Sequence, residues 1–460
     1  MMTNDTICAV STAPGVGGIA VIRVSGPRAI ETIDRHWSGR QLSSVQSHTA
    51  HLGTINDTDG QPLDQCVATV FRAPHSFTGD DVVELSVHGS RWVQRCLLDL
   101  LTESGCRLAE PGEFTRRAFI SGKMDLAEAE AVADVIASNS RAAHRIAVNQ
   151  MRGGFSRRLA SLREQLLELT SLLELELDFS EEDVEFASRQ RLIDIAREIQ
   201  REVTRLHQSF TAGAAIKDGI PVAIVGATNA GKSSLLNAIL GDDRAIVSDI
   251  HGTTRDTIEE TIELGDYQFR FIDTAGLRDT SDEIERIGIQ RSRQAIDRAR
   301  IVIFVTDSTL PIDIDEISET THANDDCNDN RHIILALNKS DLPDSRTEAS
   351  PIGLEFNTVH LSAKTGAGID TLRDTLIRCA DTEAGNADED ILVTNARHAQ
   401  ALGNAARSIA RVTDGLTTGL PGDLIAQDLR ETLTHLGEIT GDISTTDILT
   451  TIFSRFCVGK

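Results

Sequence analysis

The sequence predicts a multidomain α/β plus all-α protein: an N-terminal α/β segment, a helical bundle, and a parallel-sheet α/β domain inserted into that bundle. Three observations carry this prediction. Between residues 216 and 380, apolar runs of strand length alternate with helical segments, the pattern of a parallel sheet covered by helices. Over 122–215, and again over 381–460, apolar residues recur at helical spacing. A helical region interrupted by an intact α/β pattern is what an insertion looks like. At 460 residues the chain is also too long for one ordinary domain.

Composition sets further bounds. Apolar content of 40% and charged content of 25% are those of a protein with proper cores. The 45 basic and 70 acidic residues leave a net charge of −25, which excludes nucleic-acid binding by bulk charge; an RNA contact needs a local basic patch. The 7 cysteines form no CxxC pair and are odd in number, which fits a reduced, cytoplasmic protein. No signal peptide or long apolar span is present, so neither export nor a membrane crossing is expected.

Segment 1–121 reads as mixed α/β. Residues 6–10 and 18–24 are strand-like, with Pro14, Gly15, Val16 and Gly17 as the turn between them. Residues 82–89 form another strand and 92–101 a helix. By spacing alone, Arg23 and Glu84 are solvent-facing charges on strands. In 122–215, Leu126, Ala129, Ala133 and Ile136 form one helical stripe, and Leu159, Leu162, Leu166, Leu169 and Leu173 another. Residues 191–205 continue in kind until Gly213. Within 216–380, strands are expected at 221–225, 268–273, 301–307 and 332–338, with 309–330 as a polar surface loop. Residues 381–390 read as a hinge, and the helical pattern resumes over 398–456.

The chemistry centres on Gly226-Ala227-Thr228-Asn229-Ala230-Gly231-Lys232-Ser233, which follows an apolar strand and precedes the helical period of Leu235, Leu236 and Ile239. Strand, glycine-rich turn and helix start together make a phosphate-binding loop. Its backbone N–H groups, through Asn229, Ala230 and Gly231, point at phosphate oxygens, and the helix N-terminus from Lys232 through Ser233 and Ser234 adds partial positive charge. Lys232 reaches the β- and γ-phosphates, and the Ser233 hydroxyl ligates Mg²⁺. Asn338-Lys339-Ser340-Asp341 follows another strand, and the Asp341 carboxylate accepts the N1–H and 2-amino group of guanine, which adenine does not offer together. Ser362-Ala363-Lys364 is a second base-binding loop. The nucleotide is therefore GTP. Asp273-Thr274-Ala275-Gly276 holds Mg²⁺ through water at Asp273 and senses the γ-phosphate with the Gly276 N–H. Thr254, in His251-Gly252-Thr253-Thr254-Arg255-Asp256, supplies the switch hydroxyl on Mg²⁺.

After Gly276 comes Leu277, where a Ras-type enzyme has the glutamine that orients the attacking water. Arg255, Arg278, Glu283 and Glu285 are the nearby candidates for positioning water and neutralising charge. The Asn229 amide oxygen suits a monovalent cation, and a K⁺ beside the phosphates supplies the charge that an arginine finger supplies elsewhere.

These motifs, with Ser76-Phe77-Thr78-Gly79-Asp80-Asp81 and the ending Phe456-Cys457-Val458-Gly459-Lys460, resemble the MnmE/TrmE family of bacterial tRNA-modification GTPases over essentially the whole length. The resemblance implies a Ras-like GTPase domain at 216–380 within a helical domain of 122–215 and 381–460. It implies a tetrahydrofolate-binding-like domain at 1–121 through which the chain forms a homodimer. A 5-formyl- or methylene-tetrahydrofolate would be held by Arg23, Glu84, Lys123 and Lys460. K⁺ ligands map to Asn229, Ser248, Ile250 and Thr253, within the nucleotide-facing loop that also includes Asp249, His251, Gly252 and Thr254. The catalytic glutamate, acting through a bridging water, maps to Glu285. The family works with an FAD-containing partner, MnmG, on the wobble uridine of certain tRNAs. Cys457 reads either as a nucleophile or as a structural thiol. Thr228, Ser248 and His251 depart from the family's usual residues. Other classes compatible with the GTPase motifs are an Era-like ribosome-assembly switch and a folate-dependent aminomethyltransferase with another amine acceptor.

Overall fold

The structure is a computed structural model and describes residues 5–178, 189–241, 259–272, 295–311, 331–343, 345, 357–384, 391–443, 446–454, 456 and 458–459. Two compact units result: Met1–Ile136 with Asn149–Leu167 and Arg430–Lys460, and Ala137–Val148 with Glu168–Leu429.

The first unit carries β1 (Ile7–Val10), β2 (Ile19–Ser25), α1 (Ala29–Asp34), β3 (Trp37–Ser38), β4 (Thr49–Asn56), β5 (Pro62–Phe71), β6 (Val82–His88), α2 (Arg91–Glu103), β7 (Arg107–Leu108) and α3 (Glu113–Ile120). Its sheet runs β3-β4-β5-β6-β2-β1-β7. Alternation decides which face is buried: Ala20, Ile22 and Val24 of β2 and Val83, Leu85 and Val87 of β6 point into a core closed by α1 and α2. Opposite them, Val21, Arg23, Glu84 and Ser86 are only half-buried, while Ile19 and His88 are exposed. Part of that second face, at Ile7 and Ala9, is covered by Phe114 of α3 and by Phe77. The expected strands at 6–10, 18–24 and 82–89 and the helix at 92–101 are present.

An ion network fixes α3. Glu113 is fully buried; its carboxylate accepts from Arg107 Nη2 at 2.5 Å and from Arg117 Nη2 at 3.0 Å. Arg117 also donates to Asp5 at 2.7 Å and lies 3.7 Å from Asp80 in the 76–81 loop. Burial works to raise the Glu113 pKa, but Arg107, the Glu110 N–H and Arg117 override it and hold the carboxyl below its ordinary value of 4.5. Its stabilising contribution is therefore complete above about pH 4.5 and is lost as pH falls through the lowered folded-state value. Glu113→Gln leaves two guanidinium groups without their shared carboxylate. We expect it to cost about 3–5 kcal/mol, seen as a lower urea midpoint at neutral pH; an unchanged midpoint would count against the network as a stabilising element.

Helices follow: α4 (Leu126–Ala137), α5 (Arg141–Met151), α6 (Gly154–Asp178), α7 (Arg189–Gln208) and α8 (Phe210–Asp218). Gly213 does not end the helix, as its position in the sequence suggested. It lies inside α8 because an added Cβ would meet the Val393 carbonyl oxygen at 2.2 Å, so close packing, not a break, requires glycine there. The chain continues with β8 (Ile220–Val225), α9 (Lys232–Leu240), β9 (Glu260–Leu264), β10 (Tyr267–Phe271), β11 (Ile301–Asp307), β12 (His332–Asn338), β13 (Asn357–His360), α10 (Ile369–Ala384), α11 (Ala396–Thr418) and α12 (Gly422–Thr440). The sheet order is β13-β12-β11-β8-β10-β9, parallel except for the β9–β10 hairpin. All six residues of β8 are buried, as a central strand covered on both faces demands. The apolar stripe of α7, Leu192, Ala196, Ile199, Val203 and Leu206, packs along α11.

Of the expected hinge at 381–390, residues 381–384 are helical instead, and 385–390 lie outside the described residues. Helix α10 runs through Ala384, because Asp381 accepts from the Tyr267 hydroxyl at 2.9 Å and Glu383 accepts from Arg300 Nη2 at 2.5 Å. In the first unit, α13 (Thr446–Phe453) closes the chain: Phe453 and Phe456 cluster with Leu126, Ala129 and Phe119. Among the described residues, no helix is long and apolar enough to cross a membrane.

Candidate functional site

The phosphate loop lies between β8 and α9. Gly226 has φ 137 and passes so close to β11 that a Cβ would meet the Val305 carbonyl at 2.1 Å. Asn229 adopts the left-handed region at φ 65, which asparagine tolerates better than most side chains. Gly231, at φ 96, caps α9, and a Cβ on it would strike Asn338 Nδ2 at 2.2 Å. Ala227, Thr228 and Asn229 are exposed, as are Ser233 and Ser234 in the first turn of α9, whereas Ala230 is buried. Lys232 Nζ donates to the carbonyls of Gly226 at 2.8 Å and Ala227 at 2.9 Å. Burial lowers its pKa from the ordinary lysine value, so a charged ammonium there gains from an anionic ligand. Backbone donors, helix N-terminus and lysine converge on one place.

The residues expected to bind the base come together at the ends of β12 and β13. Asn338 is buried; its Nδ2 donates to the Ala230 carbonyl at 2.8 Å, and its Oδ1 accepts from the N–H of Lys339 at 2.8 Å and of Ala363 at 2.9 Å. One side chain thus ties the phosphate loop to both base loops. The 362–366 turn is closed by the Gly366 N–H on the Ser362 carbonyl at 2.9 Å, with Ser362 fully buried. Asp341 and Lys364 are exposed at the tips of their loops.

Asp307, at the end of β11, was not singled out by its sequence, although strand ends are where such sheets carry their ligand loops. It accepts from Lys339 Nζ at 2.6 Å and from Thr309. Burial pushes its carboxyl up, but Lys339 and Thr309 outweigh that, and the pKa lies below the ordinary range. Lys339 is held at φ 63, a left-handed conformation kept only where the surroundings enforce it.

In the N-terminal sheet, Arg23 and Glu84 face each other in register on β2 and β6. Rather than standing free in solvent, they are paired: Arg23 Nε and Nη2 lie 2.9 and 2.8 Å from Glu84 Oε1. The guanidinium carbon sits 5.3 Å from the Phe77 ring centre and 5.5 Å from that of Phe114, partners that local spacing could not reveal. Lys123 is exposed and lies beside Gly79 of the 76–81 loop. That loop is pinned by Thr78, whose hydroxyl meets Ser25 Oγ at 2.8 Å and whose carbonyl accepts from Ser121 Oγ at 2.7 Å. The C-terminal tail returns to this sheet: Ser11 Oγ donates to the Gly459 carbonyl at 3.0 Å, next to β1, whose Ala9 is the cross-strand partner of Arg23.

Ser248, Asp249, Ile250, His251, Gly252, Thr253, Thr254, Asp273, Thr274, Ala275, Gly276 and Glu285 lie outside the described residues, as do Cys457 and Lys460. Cys8, Cys66, Cys96, Cys106 and Cys379 are free thiols; burial pushes Cys66 up to about 12 and Cys379 to about 11, which makes them inert at neutral pH.

Two family models match: "GTP-binding protein TrmE N-terminus" over residues 6–123 and "MnmE helical domain" over 126–457. A "tRNA modification GTPase MnmE" of Parabacteroides distasonis is 51% identical, covering 99% of this chain and 100% of its own length. Proteins of the same name from Bacteroides fragilis and Porphyromonas gingivalis are 47% and 48% identical, covering 100% and 99% of this chain and 100% and 98% of their own lengths. The G domain of the T. maritima FeoB iron transporter aligns at 26% identity with 35% of this chain and 98% of itself, at a TM-score of 0.26, too low to add weight. With matches of this extent, the chain belongs to the MnmE family of tRNA modification GTPases.

Proposed function

We propose that this chain is a K⁺-activated GTPase that, with an FAD-containing MnmG partner, installs an aminomethyl-type group at C5 of the wobble uridine of certain tRNAs, using a one-carbon tetrahydrofolate. The observation that carries the nucleotide part is the three-way bond of Asn338, which assembles phosphate loop and guanine loops into one site. Lys232 and the α9 N-terminus take the phosphates, and the Ser233 hydroxyl takes Mg²⁺ with Thr254. Asp341 accepts from guanine, with Lys364 over the base. Asn229, exposed in the loop, offers its amide oxygen to K⁺ alongside Ser248, Ile250 and Thr253. With Leu277 unable to orient water, Glu285 does so through a bridging water. Hydrolysis drives the GTPase domains to associate and separate.

Arg23, Glu84, Lys123 and Lys460 hold the folate. The second oxygen of Glu84 carries no bond among the described residues, and a carboxylate is the acceptor that a pterin's N–H groups require. Ile19 and Leu52, 68% and 67% exposed, belong to strands of the same sheet and support the homodimer made through residues 1–121. The helical family model spanning 126–457 encloses β8–β13, which supports a GTPase domain of 216–380 inserted between helical segments 122–215 and 381–460. A tRNA substrate supports a cytoplasmic location.

GTP turnover in K⁺ against Na⁺ at matched ionic strength tests the mechanism. We expect turnover to be at least about tenfold faster in K⁺, with the difference abolished in Asn229→Ala. Equal rates in the two salts for the wild type would remove the cation mechanism and leave Arg255 or Arg278 to neutralise charge.

A further inference from the structure

Asp307 lies outside every motif that marked the nucleotide site, yet it holds one of that site's lysines. It ends β11 directly opposite Asn338 of β12, and the Ser308 N–H donates to the Asn338 carbonyl at 2.9 Å. Its two carboxylate oxygens have separate partners. Oδ1 accepts from the Thr309 N–H at 3.0 Å and the Thr309 hydroxyl at 2.8 Å, which fixes the carboxylate on its own turn. Oδ2 accepts from Lys339 Nζ at 2.6 Å, a charge-assisted bond between side chains that are 15% and 35% exposed.

Lys339 is thereby held at both ends. Its backbone stands at φ 63, with its N–H on Asn338 Oδ1 at 2.8 Å and its carbonyl accepting the Leu342 N–H at 3.1 Å. Its ammonium is fastened to the neighbouring strand, 32 residues away in sequence. The methylenes between those two ends have one course to follow, whereas a lysine free in solvent samples many. Such a stem offers apolar surface while its head stays charged. In the chain, Lys339 falls between Asn338, which bonds the phosphate loop and the Ala363 N–H, and Asp341, the carboxylate assigned to the guanine edge.

We propose that Asp307 is a positioning residue for base recognition: by anchoring the Lys339 ammonium, it presents the lysine stem as a fixed wall for the guanine ring. Asp307 touches no nucleotide atom and acts through Lys339. The ring then meets a surface that is already ordered, so binding it costs no lysine rotamer freedom. This contribution is the same in the bound state and in the transition state, so it enters KM and leaves kcat alone. A carboxylate that served only to close the Thr309 turn would have no link to Lys339. The assignment rests on the guanine reading of 338–341 given above.

The test uses the full-length chain, with GDP displacing a fluorescent GDP analogue and with steady-state GTP turnover in K⁺ buffer. The variants are Asp307→Asn, Lys339→Asn (a side chain that tolerates the left-handed backbone), the double variant and Thr309→Val. Asp307→Asn keeps an acceptor for Thr309 and sets an amide N–H against the ammonium. We expect it to raise the Kd for GDP and the KM for GTP about tenfold, with kcat within about twofold of wild type. In the Lys339→Asn background the same substitution should add nothing, because no lysine is left to position. Thr309→Val should stay within about twofold of wild type. Inorganic tripolyphosphate, which has no base, should displace the analogue from the two binding loops of Asp307→Asn as well as its weaker hold on the analogue allows, which separates a lost base contact from a damaged fold. Losses that add in the double variant, or a loss in Thr309→Val as large as in Asp307→Asn, would overturn the assignment. If the wild type binds GDP no more tightly than ADP, the guanine reading fails first and takes the assignment with it.

Discussion

Lys232→Ala is expected to reduce kcat/KM for GTP by about 10³-fold or more, the largest single effect we predict. Removing one preorganised donor to developing negative charge costs about 10²–10³ in rate, or roughly 2.7–4 kcal/mol, even when the donor is neutral. Lys232 is a cation, half-buried, and held over the loop by the carbonyls of Gly226 and Ala227. In the free protein burial works against its charge, so the ammonium meets the nucleotide with little water to displace. Its loss removes attraction in the transition state and in the bound state alike, so KM should rise as kcat falls. Single-turnover hydrolysis with enzyme in excess over GTP, followed as the enzyme concentration is raised, separates the two. A variant that turns over within tenfold of wild type would mean that the phosphates sit elsewhere.

Asp341→Asn is expected to reverse the choice of base. In the proposed site the carboxylate accepts two hydrogen bonds from guanine, and each charge-assisted bond contributes about 1.5–3 kcal/mol. An amide keeps one acceptor and turns the other position into a donor, which then opposes the guanine 2-amino group. GTP affinity should fall about 10²–10⁴-fold, while a xanthine nucleotide, with an oxygen at that position, should gain. Competition against a fluorescent GDP analogue reads both changes. Undiminished GTP binding by the variant would place the base outside the loops at the ends of β12 and β13.

Much of this was legible in the sequence because the signals are local. Strand, glycine turn and helix start follow one another within 220–240, and Asn338 through Asp341 directly continue an apolar strand. The Glu113 network left no such trace: Asp5 and Arg117 are 112 residues apart, and no periodicity joins them. Arg23 and Glu84 were misread as solvent-facing for the same reason, since their pairing depends on β2 and β6 being neighbours. The β4–β5 meander also escaped notice. Thr49–Asn56 mixes exposed and buried residues with a glycine at its middle and carries no clean alternation, and Pro62 opens β5. Gly213 shows the converse error, in which a residue that usually punctuates structure is present for lack of room.

The position of Asn338 has a consequence for how nucleotide is gripped. Because one amide fastens the carbonyl of Ala230 and the amides of Lys339 and Ala363, base and phosphates do not occupy independent subsites. The same bonds hold both loops in place before a nucleotide arrives, so a nucleotide bound at one end finds the other subsite already set. GTP therefore binds as a chelate: each end raises the effective concentration of the other, and its affinity exceeds what the separate fragments would suggest. Release then requires both ends to let go nearly together.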